Sequence, residues 1–126
     1  MARVALALIE RRRRYLICKR IAGTFLGGYW EFPGGKRQLG ESWKACVRRE
    51  VREELGVTVR SLRLVGRMQH RYGQHPTIFR VYRCAIAGRP RRLAAQAMRW
   101  VNARQLSRYR FPPANRALLE RLRDNG

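Results

Sequence analysis

Carboxylates are scarce in this chain: of 126 residues only eight are acidic, against 29 that are basic, for a formal net charge of +21. Lysine is also rare, and all but Lys19, Lys36 and Lys44 of the basic residues are arginine. The arginines run along the whole sequence instead of clustering, as a compositional bias of the genome would also leave them. The charge predicts a field that attracts anions without saying which. Cysteine is limited to Cys18, Cys46 and Cys84, odd in number, far apart and without a Cys-x-x-Cys pair. That argues against a disulfide framework or a zinc site, and sets the expectation of a reducing, cytoplasmic setting. No apolar run is long enough to cross a bilayer. The stretch Val4–Ile9 stops at Glu10 and Arg11–Arg14 and lacks a small-residue cleavage site, so it reads as a strand and not as a span or a leader. Repeats, linkers and low-complexity segments are also missing, and the length suits one domain over residues 1–126.

The few acidic residues are not scattered. Glu31, Glu41, Glu50, Glu53 and Glu54, five of the eight, fall between positions 31 and 54. A chain that avoids carboxylates elsewhere has gathered them where negative charge is needed.

The local patterns are those of a mixed protein. Val4–Glu10 and Tyr15–Arg20 are β-rich runs joined at Arg11–Arg14, a hairpin. Ile21–Tyr29 contains Gly23, Gly27 and Gly28 and reads as a loop. Trp30–Phe32 is short and extended, and Pro33-Gly34-Gly35 breaks it. Ser42 is an N-cap for a helix in which Trp43, Val47, Val51 and Leu55 form an apolar stripe, with Gly56 as its stop. Val57–Tyr72 and Thr77–Ile86 read as strands around a turn at Gly73–Pro76, and Met98–Val101 as another. Asn102–Leu106 suits a helical turn. Pro112-Pro113 opens a last helix over Ala114–Arg123. The sum is an α/β (α+β) domain with helices on the faces of a mixed sheet.

Glu50, Glu53 and Glu54 stand at i, i+3 and i+4, within an arc of about 100° on one helix face. Like charges at that spacing repel, and a bound cation would reverse the repulsion. Oxygen ligands without histidine or cysteine suit Mg²⁺. A solvated face on which these glutamates pair with Arg48, Arg49 and Arg52 would show the same pattern. The upstream segment adds weight to the cation reading. Gly34-Gly35 lets backbone approach a ligand closely, Lys36 follows in position to meet a phosphate, and Glu41 can join the cluster. His70 and His75 flank a turn and could touch a base or exchange a proton, although most such histidines are merely part-exposed. Trp30 and Trp43 read as core and not as stacking platforms, and the cysteines as small buried hydrophobes.

Gly35, five residues, Glu41, seven residues, then Arg49-Glu50-Val51-Arg52-Glu53-Glu54-Leu55-Gly56-Val57 resembles the complete Nudix box, GX5EX7REUXEEXGU with U aliphatic. Trp30-Glu31-Phe32-Pro33-Gly34-Gly35-Lys36 and Phe111-Pro112-Pro113-Ala114-Asn115 resemble the MutT-like branch of that family. The resemblance implies a Nudix fold, a mixed sheet sandwiched between helices. It also implies hydrolysis of a (deoxy)nucleoside triphosphate to monophosphate and pyrophosphate, with 8-oxo-dGTP as the leading substrate. Metals, Mg²⁺ or alternatively Mn²⁺, would be bound by Glu50, Glu53 and Glu54 with the Gly34 carbonyl, and Glu41 would support the cluster. Arg49 would hold a glutamate in position. Arg20 and Lys36 would contact phosphates, Asn115 would read the purine edge, and Tyr72 and Phe79 would lie near the base, or else be ordinary strand core. The MutT-like pattern often carries one more glutamate six residues before a tryptophan. Here Trp100 fits the tryptophan but Ala94 occupies the other position, so Glu53, then Glu50, becomes the expected base. The expected partner is a nucleotide or related diphosphate, with nucleic acid compatible but not required, no membrane, and a monomer or homodimer. The competing class is a non-catalytic module, like the C-terminal domain of adenine DNA glycosylases that senses oxidised guanine in DNA. That module generally lacks the metal-binding carboxylates.

Overall fold

The computed structural model describes residues 1–125. Strand β1 (Ala2–Arg11) turns back at Arg12-Arg13 into β2 (Arg14–Lys19). After a loop come β3 (Trp30–Glu31) and β4 (Gly34–Lys36), then helix α1 (Trp43–Leu55). The long ribbon of β5 (Thr58–Tyr72) and β6 (His75–Ala87) follows, and β7 (Ala97–Val101) after it. Two 3₁₀ turns, Ala103–Arg108 and Pro113–Asn115, lead into α2 (Arg116–Asn125).

The strands make two sub-sheets that share the β1–β2 hairpin. In the first, β1 runs parallel to β6, with β4 antiparallel on its other side and β5 antiparallel beyond β6. In the second, β2 lies between β3 and β7, both antiparallel to it. Alternation along β1 divides the core. Ala5, Ala7 and Ile9 face α1 and pack with its buried Cys46, Val47, Val51 and Leu55. Leu6 and Leu8 point the other way, to Phe79, Val81 and the α2 residues Leu118 and Leu122. A period of two therefore feeds two cores from one strand, and the sheet is sandwiched between helices as expected.

Helix α1 has the expected limits because both of its ends are local. The Ser42 side chain accepts from the Ala45 N–H at 3.0 Å, and Gly56 takes a left-handed conformation with its N–H on the Arg52 carbonyl. Trp43 is not part of the enclosed stripe. It packs on the core's rim, between the guanidinium groups of Arg37 and Arg80. Several boundaries differ from the sequence reading. The turn expected over Gly73–Pro76 is confined to Gly73-Gln74, because His75 and Pro76 already pair with Tyr72 and Arg71. Gly34–Lys36 is a strand rather than a break, because β1 supplies pairing partners for Gly34, Gly35 and Lys36. The last helix begins at Arg116, since the chain from Pro113 winds first as a 3₁₀ turn.

Candidate active site

The C-terminal half of α1 faces β4, and that juxtaposition builds the site. Gly34 lies at φ 153°, and a Cβ there would overlap the Ala5 carbonyl oxygen of β1. A Cβ on Gly35 would fall 2.5 Å from the Glu50 carboxyl. The two glycines let β4 fit between β1 and the acidic face of the helix.

Arg49 organises the carboxylates. Its Nε and Nη2 donate to the two oxygens of Glu41, at 2.6 and 3.0 Å. Nη1 donates to Glu50 at 2.9 Å and reaches Glu53 at 3.3 Å, and Nη2 also donates to the Lys36 carbonyl at 3.1 Å. One guanidinium thereby ties the loop, β4 and three glutamates together. The Arg49 bonds, with the Gln38 N–H beside them, hold the Glu41 carboxyl down to about 2. The same contacts hold Arg49 further into its charged form. Of the arginines that could pair with these glutamates, Arg49 does so, while Arg48 donates instead to the Val59 carbonyl.

Glu54 sits on the inner side of this cluster. It accepts from the Gly34 N–H at 3.1 Å. Burial, then the adjoining Glu50 and the nearby Glu31, pushes its carboxyl up to about 9. Glu31, to which the sequence reading gave no role, is also pushed upward by burial, and Arg20 offsets this through a 2.9 Å ion pair. Its position beside the acid cluster comes from the β2–β3 pairing, and the signals in the sequence were its inclusion in the acid-rich stretch and in the Trp30–Lys36 motif. Glu53 is the most exposed of the glutamates on Arg49, its side chain 58% accessible.

Among the described residues no three Asp, Glu, His or Cys side chains converge as a ready-made metal cage. The donor set nevertheless fits a hard divalent cation. Burial and the adjoining Glu50 carboxylate push Glu54 toward its protonated form. A cation between such oxygens would replace that proton.

A cleft of about 460 Å³ opens beside the carboxylates. Arg20, Glu31, Gly34, Gly35 and Lys36 line the end next to them. Tyr72, Phe79 and the buried Asn115 line the other parts of the wall. The cleft thus brings together Arg20, Gly34, Lys36, Tyr72, Phe79 and Asn115 from five separate segments, while Glu41, Arg49, Glu50, Glu53 and Glu54 do not line it. It includes His75 but not His70, which packs edge-on against Tyr72. Phe25 was not foreseen. It lies 66% exposed on the loop after β2, meets Tyr72 edge-to-face at 5.7 Å, and its carbonyl accepts from Arg20 Nε at 2.8 Å. A bulky aromatic in a glycine-rich loop was the available hint. Neither Trp30 nor Trp43 lines the cleft.

The three cysteines are free and buried. Ala94 is exposed on the segment that follows β6, which is fastened to the end of α1 by Arg91 N–H on the Leu55 carbonyl and Leu93 N–H on the Glu54 carbonyl. No helix among the described residues is long and apolar enough to cross a membrane.

An arginine-clamped cluster of glutamates packed behind the Gly34-Gly35 wall of a cleft is a layout that suits a phosphoanhydride hydrolase. A model of the NUDIX domain family matches residues 4–121, and the chain belongs to that family, as a pyrophosphohydrolase. Within the family it is MutT-like. A Mycobacterium tuberculosis protein with the provisional name 8-oxo-dGTP diphosphatase 2 is 35% identical over 90% of this chain and 82% of its own. The CTP pyrophosphohydrolase of Escherichia coli is 31% identical over 95% of this chain and 90% of its own. The crystal structure of the MutT protein from Methanosarcina mazei superposes with a TM-score of 0.87 at 26% identity, over 98% of this chain and 94% of that one.

Proposed function

We infer that the protein hydrolyses a (deoxy)nucleoside triphosphate to the monophosphate and pyrophosphate, with Mg²⁺ as its cofactor, and that an oxidised purine such as 8-oxo-dGTP is its preferred substrate. The observation that supports this best is the shared cleft. Asn115, a buried amide that both donates and accepts, lines the same cavity as the phosphate-compatible Arg20 and Lys36 and as Gly34-Gly35, against which Glu54 and Glu50 of α1 lie. Tyr72 and Phe79 offer flat apolar surface for a base, and His75 lines the same wall.

Glu50, Glu53 and Glu54 with the Gly34 carbonyl would hold the metal, and Glu41 supports them through Arg49. The cation, when bound, neutralises phosphate charge and acidifies water. The protein's own groups do the positioning. Arg49 fixes the carboxylates, Lys36 and Arg20 orient the phosphate chain, and Glu53 or Glu50 accepts a proton from the attacking water. Glu53 has the solvent access that proton release requires, and Ala94 leaves its segment without a carboxylate for this task.

The relatives' names divide between an oxidised purine and a pyrimidine substrate, so base preference is the point to test. The purified protein is incubated with Mg²⁺ and a panel of canonical and oxidised nucleoside triphosphates, and products are resolved by chromatography. Metal-dependent release of monophosphate and pyrophosphate, fastest from 8-oxo-dGTP, is the expected result. Fastest release from CTP would replace the purine assignment. No turnover by the folded protein would remove the triphosphate reading and leave larger diphosphates or a recognition module.

A further inference from the structure

Two more clefts flank the β1–β2 hairpin, of about 580 and 700 Å³, and none of their lining residues lines the catalytic cleft. They share Glu10, Arg12, Arg13 and Arg83, so the hairpin tip stands as a ridge between them. Arg63 lies in the smaller cleft and Arg14 and Arg104 in the larger. Glu10 is the one acid lining either cleft, and Arg83 is already ion-paired with it. Among the described residues none of Arg12, Arg13, Arg14, Arg63 and Arg104 is in an ion pair. Arg11 differs from its neighbours in being committed to the fold, with Nη2 on the Ile86 and Gly88 carbonyls and its guanidinium over Trp100.

The track is also unfavourable in the free protein. Arg12 and Arg13 occupy left-handed conformations, φ 53° and 63°, in a two-residue turn where asparagine and glycine are the usual residues. Arg63 and Arg83 are directly opposed on β5 and β6, a like-charge pair that weakens a sheet. Nε of Arg83 is buried without a partner. A linear polyanion laid across the ridge would relieve the repulsion.

We propose that the hairpin ridge and its two flanking clefts form a second binding site, for the phosphate backbone of duplex nucleic acid. Guanidinium groups on both sides of a ridge match a repeating row of phosphates better than one compact anion. Neither cleft carries an exposed aromatic, Tyr15 being buried, so the stacking platforms that hold unstacked single strands are missing. The contacts are to phosphate alone and carry no sequence preference.

The test is fluorescence anisotropy of a short labelled DNA duplex titrated with the full chain at several salt concentrations. Three proteins are compared: wild type, R12N/R13G and the control R89Q/R108Q, which removes two exposed arginines elsewhere. Asparagine-glycine favours the turn, so R12N/R13G keeps or raises the melting temperature. Its affinity falls about tenfold, and the slope of log affinity against log salt shrinks by about two phosphate contacts, while the control stays near wild type. An equal loss in both variants, or wild-type binding by R12N/R13G, would overturn the site. So would displacement of the duplex by a nucleoside triphosphate, which would move it to the catalytic cleft. Inorganic polyphosphate that displaces the duplex at far lower phosphate concentration would assign the same site to a free polyphosphate instead.

Discussion

The carboxyl group of Glu50 occupies the space that a side chain on Gly35 would fill, with its carbon 2.5 Å from the position of a Cβ there. Gly35 is on β4 and Glu50 is on α1, so the helix and the strand approach as closely as they do because one residue has no side chain. A Gly35→Ala protein should fold, since the methyl group meets a side-chain terminus that can shift. Displacing Glu50 should lower kcat/KM by roughly ten- to a hundredfold, in the range for groups that orient metal ligands. Gly34→Ala should fail differently, through loss of thermal stability, because its Cβ meets the β1 backbone. Unchanged turnover in a folded Gly35→Ala protein would count against the placement of Glu50.

Arg49 makes a two-pronged contact with Glu41 while also holding Glu50 and the Lys36 carbonyl. Lysine keeps the charge but lacks the planar fork. Arg49→Lys should therefore weaken metal binding, measured by calorimetry, and lower turnover by about tenfold or more. Wild-type metal affinity and rate in that variant would show that charge alone suffices.

Glu53 is well exposed, and its one contact within the cluster is the long one to Arg49. Glu53→Gln should leave the melting temperature within a degree or so of wild type, as expected of a surface change, yet abolish most turnover. Normal turnover in the folded variant would sink the assignment of metal or base chemistry to Glu53.

Asn115 is buried in the wall of the cleft, apart from the acids of α1. Asn115→Ala should erode discrimination between bases more than hydrolysis as such. Ratios of kcat/KM across the nucleotide panel check this, and an equal loss for every nucleotide would count against base reading.

Burial pushes the Cys18 and Cys84 thiols up to about 12. Both should resist a thiol reagent at pH 8 in the native protein and react on denaturation. In the unfolded chain they ionise near 9, so stability is fully present below that pH. It should decline as pH rises from about 9 to 12, because only the unfolded state releases the protons. Denaturant midpoints measured across that range test the sign, and a rising midpoint would contradict it.

Much of the site could be read from sequence because its spacing is helical. Glu50, Glu53 and Glu54 must share a face once Ser42 and Gly56 fix the ends of α1, and both caps act within a turn of the helix. The same locality explains the strand character of Val4–Ile9. What lay beyond the sequence depended on contacts between distant segments. Gly34-Gly35-Lys36 has no strand propensity of its own, and it becomes β4 only because β1 offers it hydrogen-bonding partners. Spacing alone could connect Arg49 to Glu53, four residues on. Its bonds to Glu41 and Lys36 require the loop to fold back over the helix. Glu31 joined the acids, and Phe25 met Tyr72, through packing that no local pattern encodes. The sequence by itself determined the helix, its acidic face and the residues available for chemistry, because capping and periodicity are near-neighbour effects. The tertiary structure decided which carboxylate is buried, which is clamped and which is open to water, because burial depends on what the rest of the chain places against each group.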